Sequence, residues 1–340
     1  MSHAVTLVHP RPAPRRSLGP LPGLLLTGGI AAVAFALRRL PGIGALSPLI
    51  LAIVIGMALH NTLGTPAAAR DGVGFALRRV LRLGIVLLGL QLTAQQVVAV
   101  GGRGIGVIVA TLLATFVLTK WLGRLLGVER RLAELIAAGT AVCGASAVIA
   151  TNTVTRGSDE DVAYAVACVT VFGSLSMLLY PLLPGALALT PHQFGLWAGA
   201  SIHEIAQVVA AAFQNGVESG DFATVAKLSR VMLLAPLVLA LGVLTPRRGE
   251  VGTRGRAPLP WFAFGFLALI AVNSLGVVPA AAKAYTTPAT TFLLAMALAA
   301  MGMATDPRKL RAAGLRPLAL GAASWLLVSG LSLALVVLVD

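Results

Sequence analysis

His203 and Glu204 stand side by side in GASIHEIAQVVAAA (199–212), a run otherwise almost wholly small and apolar, and Gln207 follows at helical spacing. Separations of three and four residues put all three side chains on one side of a helix. An imidazole beside a carboxylate is equipment for moving a proton, since histidine titrates near neutral pH. A second oddity is KLSR, which places Lys227 and Arg230 three residues apart in another apolar run. Arginine offers a planar donor fork suited to oxyanions, and lysine a point charge. The third is GTAVCGASAVIA (139–150), which gathers Thr140, Cys143, Gly144 and Ser146. Such a stretch either lets helices pack closely or interrupts one. An interruption would expose backbone N–H groups, and the new helix start could hold an anion.

The elements that position these residues follow from composition. The 340 residues are 57% hydrophobic and 11% charged, against about 25% charged in soluble domains. Lipid is the natural solvent for such a chain. A run of about 20 apolar residues crosses the hydrocarbon as a helix, and eleven such spans are expected: 21–37, 46–63, 80–99, 104–121, 132–152, 161–183, 193–213, 222–244, 260–278, 287–304 and 317–338. The fold class is an all-α integral membrane protein, with one polytopic unit over 21–340 behind a disordered, proline-rich tail (1–20). At 1.5 Å per residue, Glu204, Arg230 and Cys143 lie ~12–14 Å from the nearer span end, close to the ~15 Å half-thickness. An ionisable group at that depth costs ~2.5–3.5 kcal/mol and must face a partner or a wet cavity. Two blander readings stay open. The histidine–glutamate group could simply hold helices together, and Lys227 and Arg230 could snorkel to the interface from a misplaced span boundary.

With the amino terminus inside, 19 lysines and arginines fall on the cytoplasmic side and five outside. That bias predicts a multi-pass bacterial inner-membrane protein, amino terminus cytoplasmic and carboxyl terminus periplasmic. The net charge of +14 serves topology; with aromatics at 5% and no soluble basic domain, no nucleic-acid partner is indicated. Two internal echoes appear. NTLGTP at Asn61 resembles NSLGVVP at Asn273, as LLGLQLT at Leu87 resembles LAAMGMAT at Leu298, the pattern of an inverted repeat. GTAVCGASAVIA also resembles GASIHEIAQVVA, sixty residues later.

Enzyme chemistry finds little support. HEIAQ almost reads H-E-x-x-H, but Gln207 stands where the second zinc ligand belongs. No metal and no cofactor is expected. Cys143 and Cys168 lie in apolar runs with no CxxC, and no GxxxxGK[ST] loop is present for ATP.

LRLGIVLLGLQLT, AAGTAVCGASAVIAT, SIHEIAQVVAA, KLSRVMLLAP and TFLLAMALAAMGM together resemble the YeiH family of bacterial inner-membrane proteins, for which sulfate export has been inferred. The resemblance runs from about Leu46 to Leu338. It implies distant similarity to the cation–proton antiporter and anion transporter superfamily, with inverted repeats and broken helices crossing at the midplane. Cys143 to Ser146 would then be one helix break. An acidic residue is usual near that crossing in the antiporters, and the fifth span has none there.

Residues and resemblance together lead us to expect a proton-coupled secondary transporter that exports a small anion such as sulfate, sulfite or a sulfonate across the inner membrane. Arg230 and Lys227 would meet and compensate the charge of Glu204 and, helped by Thr140, Cys143, Gly144 and Ser146, would bind the anion. His203, Glu204 and Gln207 would carry the proton. A cation–proton antiporter centred on Glu204 is the alternative, and a membrane enzyme or sensor without transport is another. A homo-oligomer stays open.

Overall fold

The computed structural model describes residues 19–40, 46–244, 261–308 and 314–339. The tail charges Arg11, Arg15 and Arg16, and Arg247, Arg248, Arg254, Arg256, Lys309 and Arg311, lie outside the described residues, as does nearly all of the tail expected to be disordered. Among the described residues every regular element is helical. The helices are α1 (Leu21–Leu37), α2 (Pro48–Leu63), α3 (Arg70–Phe75), α4 (Leu81–Leu88), α5 (Ala94–Ala99), α6 (Gly101–Leu125), α7 (Arg130–Ala141) and α8 (Ala145–Thr155). There follow α9 (Asp159–Leu179), α10 (Pro191–Ser201), α11 (Ile205–Gln214), α12 (Val217–Met232), α13 (Leu234–Leu244), α14 (Trp261–Ser274), α15 (Ala280–Ala304) and α16 (Leu315–Val339).

Five helical stretches are long and apolar enough to cross a membrane: Gly101–Leu125, Asp159–Leu182, Val217–Val243, Ala281–Ala304 and Leu315–Val339. Shorter apolar helices stand among them. Large apolar side chains point outward, including Leu113, Val117 and Trp121 on α6 and Leu326 and Val337 on α16. Such exposure suits lipid contact. The chain folds as an all-α membrane protein.

Several expected spans differ in detail. The helical path expected over 80–99 already starts at Arg70 and passes through a wide π-helical turn at Ala76–Val80. It continues as α4, ends in a short 3₁₀ turn, and resumes as α5 after extended Leu92. Arg70, Arg78, Arg79 and Arg82 therefore sit on helix rather than in a loop. Their charge hid the helix from a purely apolar count. The fifth and seventh spans are each two half-helices, α7–α8 and α10–α11. The acidic run Asp159–Asp161 opens α9, where Ser158 and Asp161 form a capping box and carboxylates favour the positive helix start.

The helices pack in two groups. In one, α2 lies along α15, which also meets α1 and α4, and α14 packs on α4. In the other, α12 lies along α10 and α11, α6 along α7 and α16, and α9 against α7, α8 and α11. The groups meet where α11 touches α2 and α15 and where α12 touches α5 and α14. Close approach of α12 to α10 depends on Gly199. A Cβ there would lie 2.6 Å from the Ala223 carbonyl oxygen, so a larger residue would push α12, with Lys227 and Arg230, away from the end of α10. The first sequence echo has a structural counterpart. Asn61 Nδ2 donates to the Thr305 carbonyl at 3.0 Å, and Asn273 Nδ2 to the Leu92 carbonyl at 2.7 Å. The equivalent asparagines thus reach across, each to the partner segment of the other.

Candidate functional site

Two interruptions of the helical backbone form the site. In the first, α7 ends at Ala141, Val142 leaves helical geometry, Gly144 takes φ +66°, and α8 starts at Ala145. Only glycine adopts that backbone readily. In the second, α10 ends at Ser201, Ile202 and Glu204 are extended, and α11 starts at Ile205. Last helical residues Ala141 and Ser201 are sixty positions apart (201 − 141), the offset of the second sequence echo. Each break leaves carbonyls of the first half-helix and N–H groups of the second without helical partners. In a membrane interior such groups cost several kcal/mol each unless protein satisfies them.

Lys227 and Arg230, on α12, satisfy the carbonyl ends. Lys227 Nζ donates to Val142 O at 2.7 Å and to Ile202 O at 2.8 Å. Arg230 Nε donates to Ala141 O at 2.6 Å, Nη1 to Ile202 O at 3.2 Å, and Nη2 to Thr140 O. Both side chains are fully buried, so the snorkelling alternative fails: the charges point inward, and the helix expected from 222 already starts at Val217. One cation pair thus clamps the negative ends of two half-helices at once, the placement that helix dipoles favour. Among the described residues, neither makes an ion pair with a carboxylate.

Glu204 answers at the opposite polarity. Its carboxylate packs against Gly144 at the start of α8, within electrostatic reach of the Ala145 N–H and of Lys227. Thr170 Oγ1 donates to Glu204 Oε1 at 3.5 Å. Gln207 braces the turn: its Oε1 accepts Glu204 N–H at 3.1 Å, and its Nε2 donates to Thr170 O at 3.1 Å and Ser174 Oγ at 3.3 Å. His203 is buried in the break, and its Nδ1 has no hydrogen-bond partner among the described residues. The expectation that His203, Glu204 and Gln207 share one continuous helix face is corrected. The break precedes Ile205, so only Gln207 is helical.

Gly144 joins the two breaks. A Cβ there would lie 2.5 Å from Glu204 Cγ and 3.1 Å from its Oε1. Gly144→Ala is expected to cost ~1–3 kcal/mol, from the positive φ and the displaced carboxylate together. A drop in thermal unfolding temperature of the purified protein checks this; an unchanged transition would contradict it.

The structure brings Thr140, Cys143, Gly144, Glu204, Gln207, Lys227 and Arg230 to one place, although Thr140 contributes its carbonyl rather than its hydroxyl. Ser146 differs, being exposed on the outer face of α8, next to half-buried Ala145 and Glu204. The cationic clamp, by contrast, is sealed. Thr170 and Ser174 on α9 were not foreseen, because a hydroxyl in an apolar run looks like ordinary helix. Nor was the buried Glu134 on α7, whose Oε1 lies 3.4 Å from Lys120 Nζ. A lone acid in an apolar span was the available signal there. Among the described residues no three His, Cys, Asp or Glu side chains gather as a metal site.

The sequence profile of the family described as conserved hypothetical protein 698 matches residues 22–321. The chain belongs to that family. Its relatives carry the family name UPF0324. A UPF0324 membrane protein of Pseudomonas aeruginosa is 42% identical over 327 residues, covering 91% of this chain and 92% of its own. A UPF0324 membrane protein of Yersinia pestis is 39% identical, covering 93% and 92%. The UPF0324 inner membrane protein YeiH of Salmonella typhimurium is 38% identical, covering 91% and 92%. The UPF0324 resemblance spans both breaks and the cationic clamp, so the site lies within the shared part of the chain.

Proposed function

We propose that this protein is a proton-coupled secondary transporter of a small oxyanion of the sulfate, sulfite or sulfonate type. The inner membrane is its location, with the amino terminus cytoplasmic, as the distribution of lysine and arginine favours. The observation that carries the reading is the Glu204 carboxylate packed against Gly144 at the start of α8, where a Cβ on Gly144 would lie 3.1 Å from its Oε1. Anions bind at helix starts because N–H groups and the dipole both favour negative charge. Glu204 is thus a resident anion on a site that an external anion could use. Protonation of Glu204 weakens its claim on the α8 start, and an oxyanion takes its place. Departure of the anion lets the carboxylate return as it releases the proton. Proton and anion movement are coupled by competition for one set of donors.

Lys227 and Arg230 serve this exchange by field. They commit two and three hydrogen bonds to backbone carbonyls, and their charge makes the crossing hospitable to an anion. His203, adjacent to Glu204 in sequence and with an uncommitted ring nitrogen, is the relay for the proton.

Uptake of labelled sulfate and sulfite into proteoliposomes, with an imposed pH gradient, tests the reading. Gradient-dependent anion flux is expected. Flux that follows sodium and ignores every oxyanion would instead establish the cation–proton antiporter, for which the same Glu204 would bind the ion.

A further inference from the structure

The half-helices at the two breaks fold back on one another. α7, α8, α10 and α11 have ten to twelve residues each, a rise of ~15–18 Å, which reaches about halfway through the hydrocarbon. Were α7 and α8 collinear, Leu135 and Gly157 would stand ~33 Å apart. Instead a Cβ on Gly157 would lie 3.1 Å from Leu135 Cδ1, and one on Gly139 2.8 Å from Val148 Cγ2. Were α10 and α11 collinear, Pro191 and Asn215 would stand ~36 Å apart. Instead one hydroxyl joins them: Ser219 Oγ donates to Pro191 O at 2.9 Å and accepts from Asn215 Nδ2 at 3.3 Å. Both segments are hairpins, with the breaks at their tips.

α9 sets how the hairpins face. With its last turn it runs from Asp159 to Leu182, 24 residues, or ~36 Å, enough to cross. The first hairpin ends just before it and the second begins just after it, so their open ends lie on opposite faces. The sixty-residue echo marks one unit used twice: α7, α8 and α9 recur as α10, α11 and the α12–α13 stretch. Two half-length helices and one crossing make a unit whose second copy is inverted. Gly144 and Glu204, sixty positions apart, hold matching places at the two tips. Charge then assigns the faces. Arg124, Arg130, Arg131 and Arg156 stand at the open end of the first hairpin, while residues 157–226 contain no lysine or arginine. Positive residues favour the cytoplasmic side. Eleven simple crossings put Arg156 outside; with hairpins it joins the cytoplasmic set, and the bias rises from 19 against five to 20 against four.

We infer that α7–α8 is a re-entrant hairpin entering from the cytoplasm and α10–α11 one entering from outside, the two meeting tip to tip at Lys227 and Arg230. The fifth and seventh expected spans then do not cross. Irregular backbone at membrane depth is tolerated where protein buries it, as the clamp does here. This arrangement deepens the transport reading without depending on it. An anion at the α8 start has one hairpin between it and each face, so each face has its own cover.

The test is thiol labelling in spheroplasts that express the full chain, with a membrane-impermeant maleimide added before or after permeabilisation. Glu129→Cys and Glu160→Cys report on the open end of the first hairpin, Ala186→Cys and Glu218→Cys on that of the second. All four positions are exposed, so these changes do not threaten folding. The native thiols of Cys143 and Cys168 are buried. Ala186→Cys and Glu218→Cys are expected to label in intact spheroplasts, whereas Glu129→Cys and Glu160→Cys should label only after permeabilisation. Either pair split between the two faces, as crossing helices require, would overturn the inference, and so would the two pairs exchanged. The expected labelling without any oxyanion flux in proteoliposomes would sink the transport reading and leave the hairpins standing. Oxyanion flux with a split pair would do the reverse.

Discussion

Arg230→Ala is expected to destabilise the protein by ~2–6 kcal/mol, the largest effect of any single change considered. The guanidinium is fully buried and donates to Thr140 O, Ala141 O and Ile202 O. Its removal leaves Thr140 O and Ala141 O at the end of α7 bare in a sealed, buried region, at about 1–3 kcal/mol for each group left unpaired, while Ile202 O keeps Lys227. Lys227 cannot take over, since its ammonium already serves Val142 and Ile202. Arg230→Lys should recover only part of the loss, because an ammonium cannot fork to three carbonyls on two helices. Thermal unfolding in detergent checks the order: wild type above Arg230→Lys above Arg230→Ala. An alanine variant as stable as the parent would mean that the clamp does not hold the breaks together.

Glu204→Gln should leave the fold nearly intact and change the coupling. Glutamine keeps the length of the side chain and an oxygen for the α8 start, yet it can neither gain nor lose a proton. On the competition account the variant resembles a permanently protonated Glu204. Anion flux should persist, lose its dependence on the pH gradient, and move no protons. A variant that still couples anion to proton would transfer the role to another group, with His203 the next to test.

Much of this was legible in the sequence, for reasons that differ from residue to residue. Membrane class followed from scarcity of charge. Lys227 and Arg230 were conspicuous because charge in an apolar run is costly. Their target was not visible: no residue type announces that a backbone carbonyl will be left bare. The reading that they would meet Glu204 assumed that a charge seeks an opposite formal charge. In the fold the opposite charge is the partial one at two helix ends. Glu204 likewise packs against the backbone of a helix start, at Gly144. The break at Val142–Gly144 was one of two readings of GTAVCGASAVIA, since small residues equally permit close packing. The matching break at Ile202–Glu204 went unforeseen, because its flanks, GAS and IAQ, carry no proline or other strong breaker at the point of interruption. Ser146 was read as facing the site on the strength of proximity in sequence. One residue past the start of α8 the helix had already turned it outward.

The central claim is that a resident carboxylate at a half-helix start trades places with an anion. Measuring proton movement driven by a sulfite or sulfate gradient, in proteoliposomes at fixed membrane potential, tests it most directly. The account predicts anion-dependent acidification or alkalinisation with the wild type and none with Glu204→Gln, while the anion still moves. Proton movement that is unchanged in the variant would contradict it.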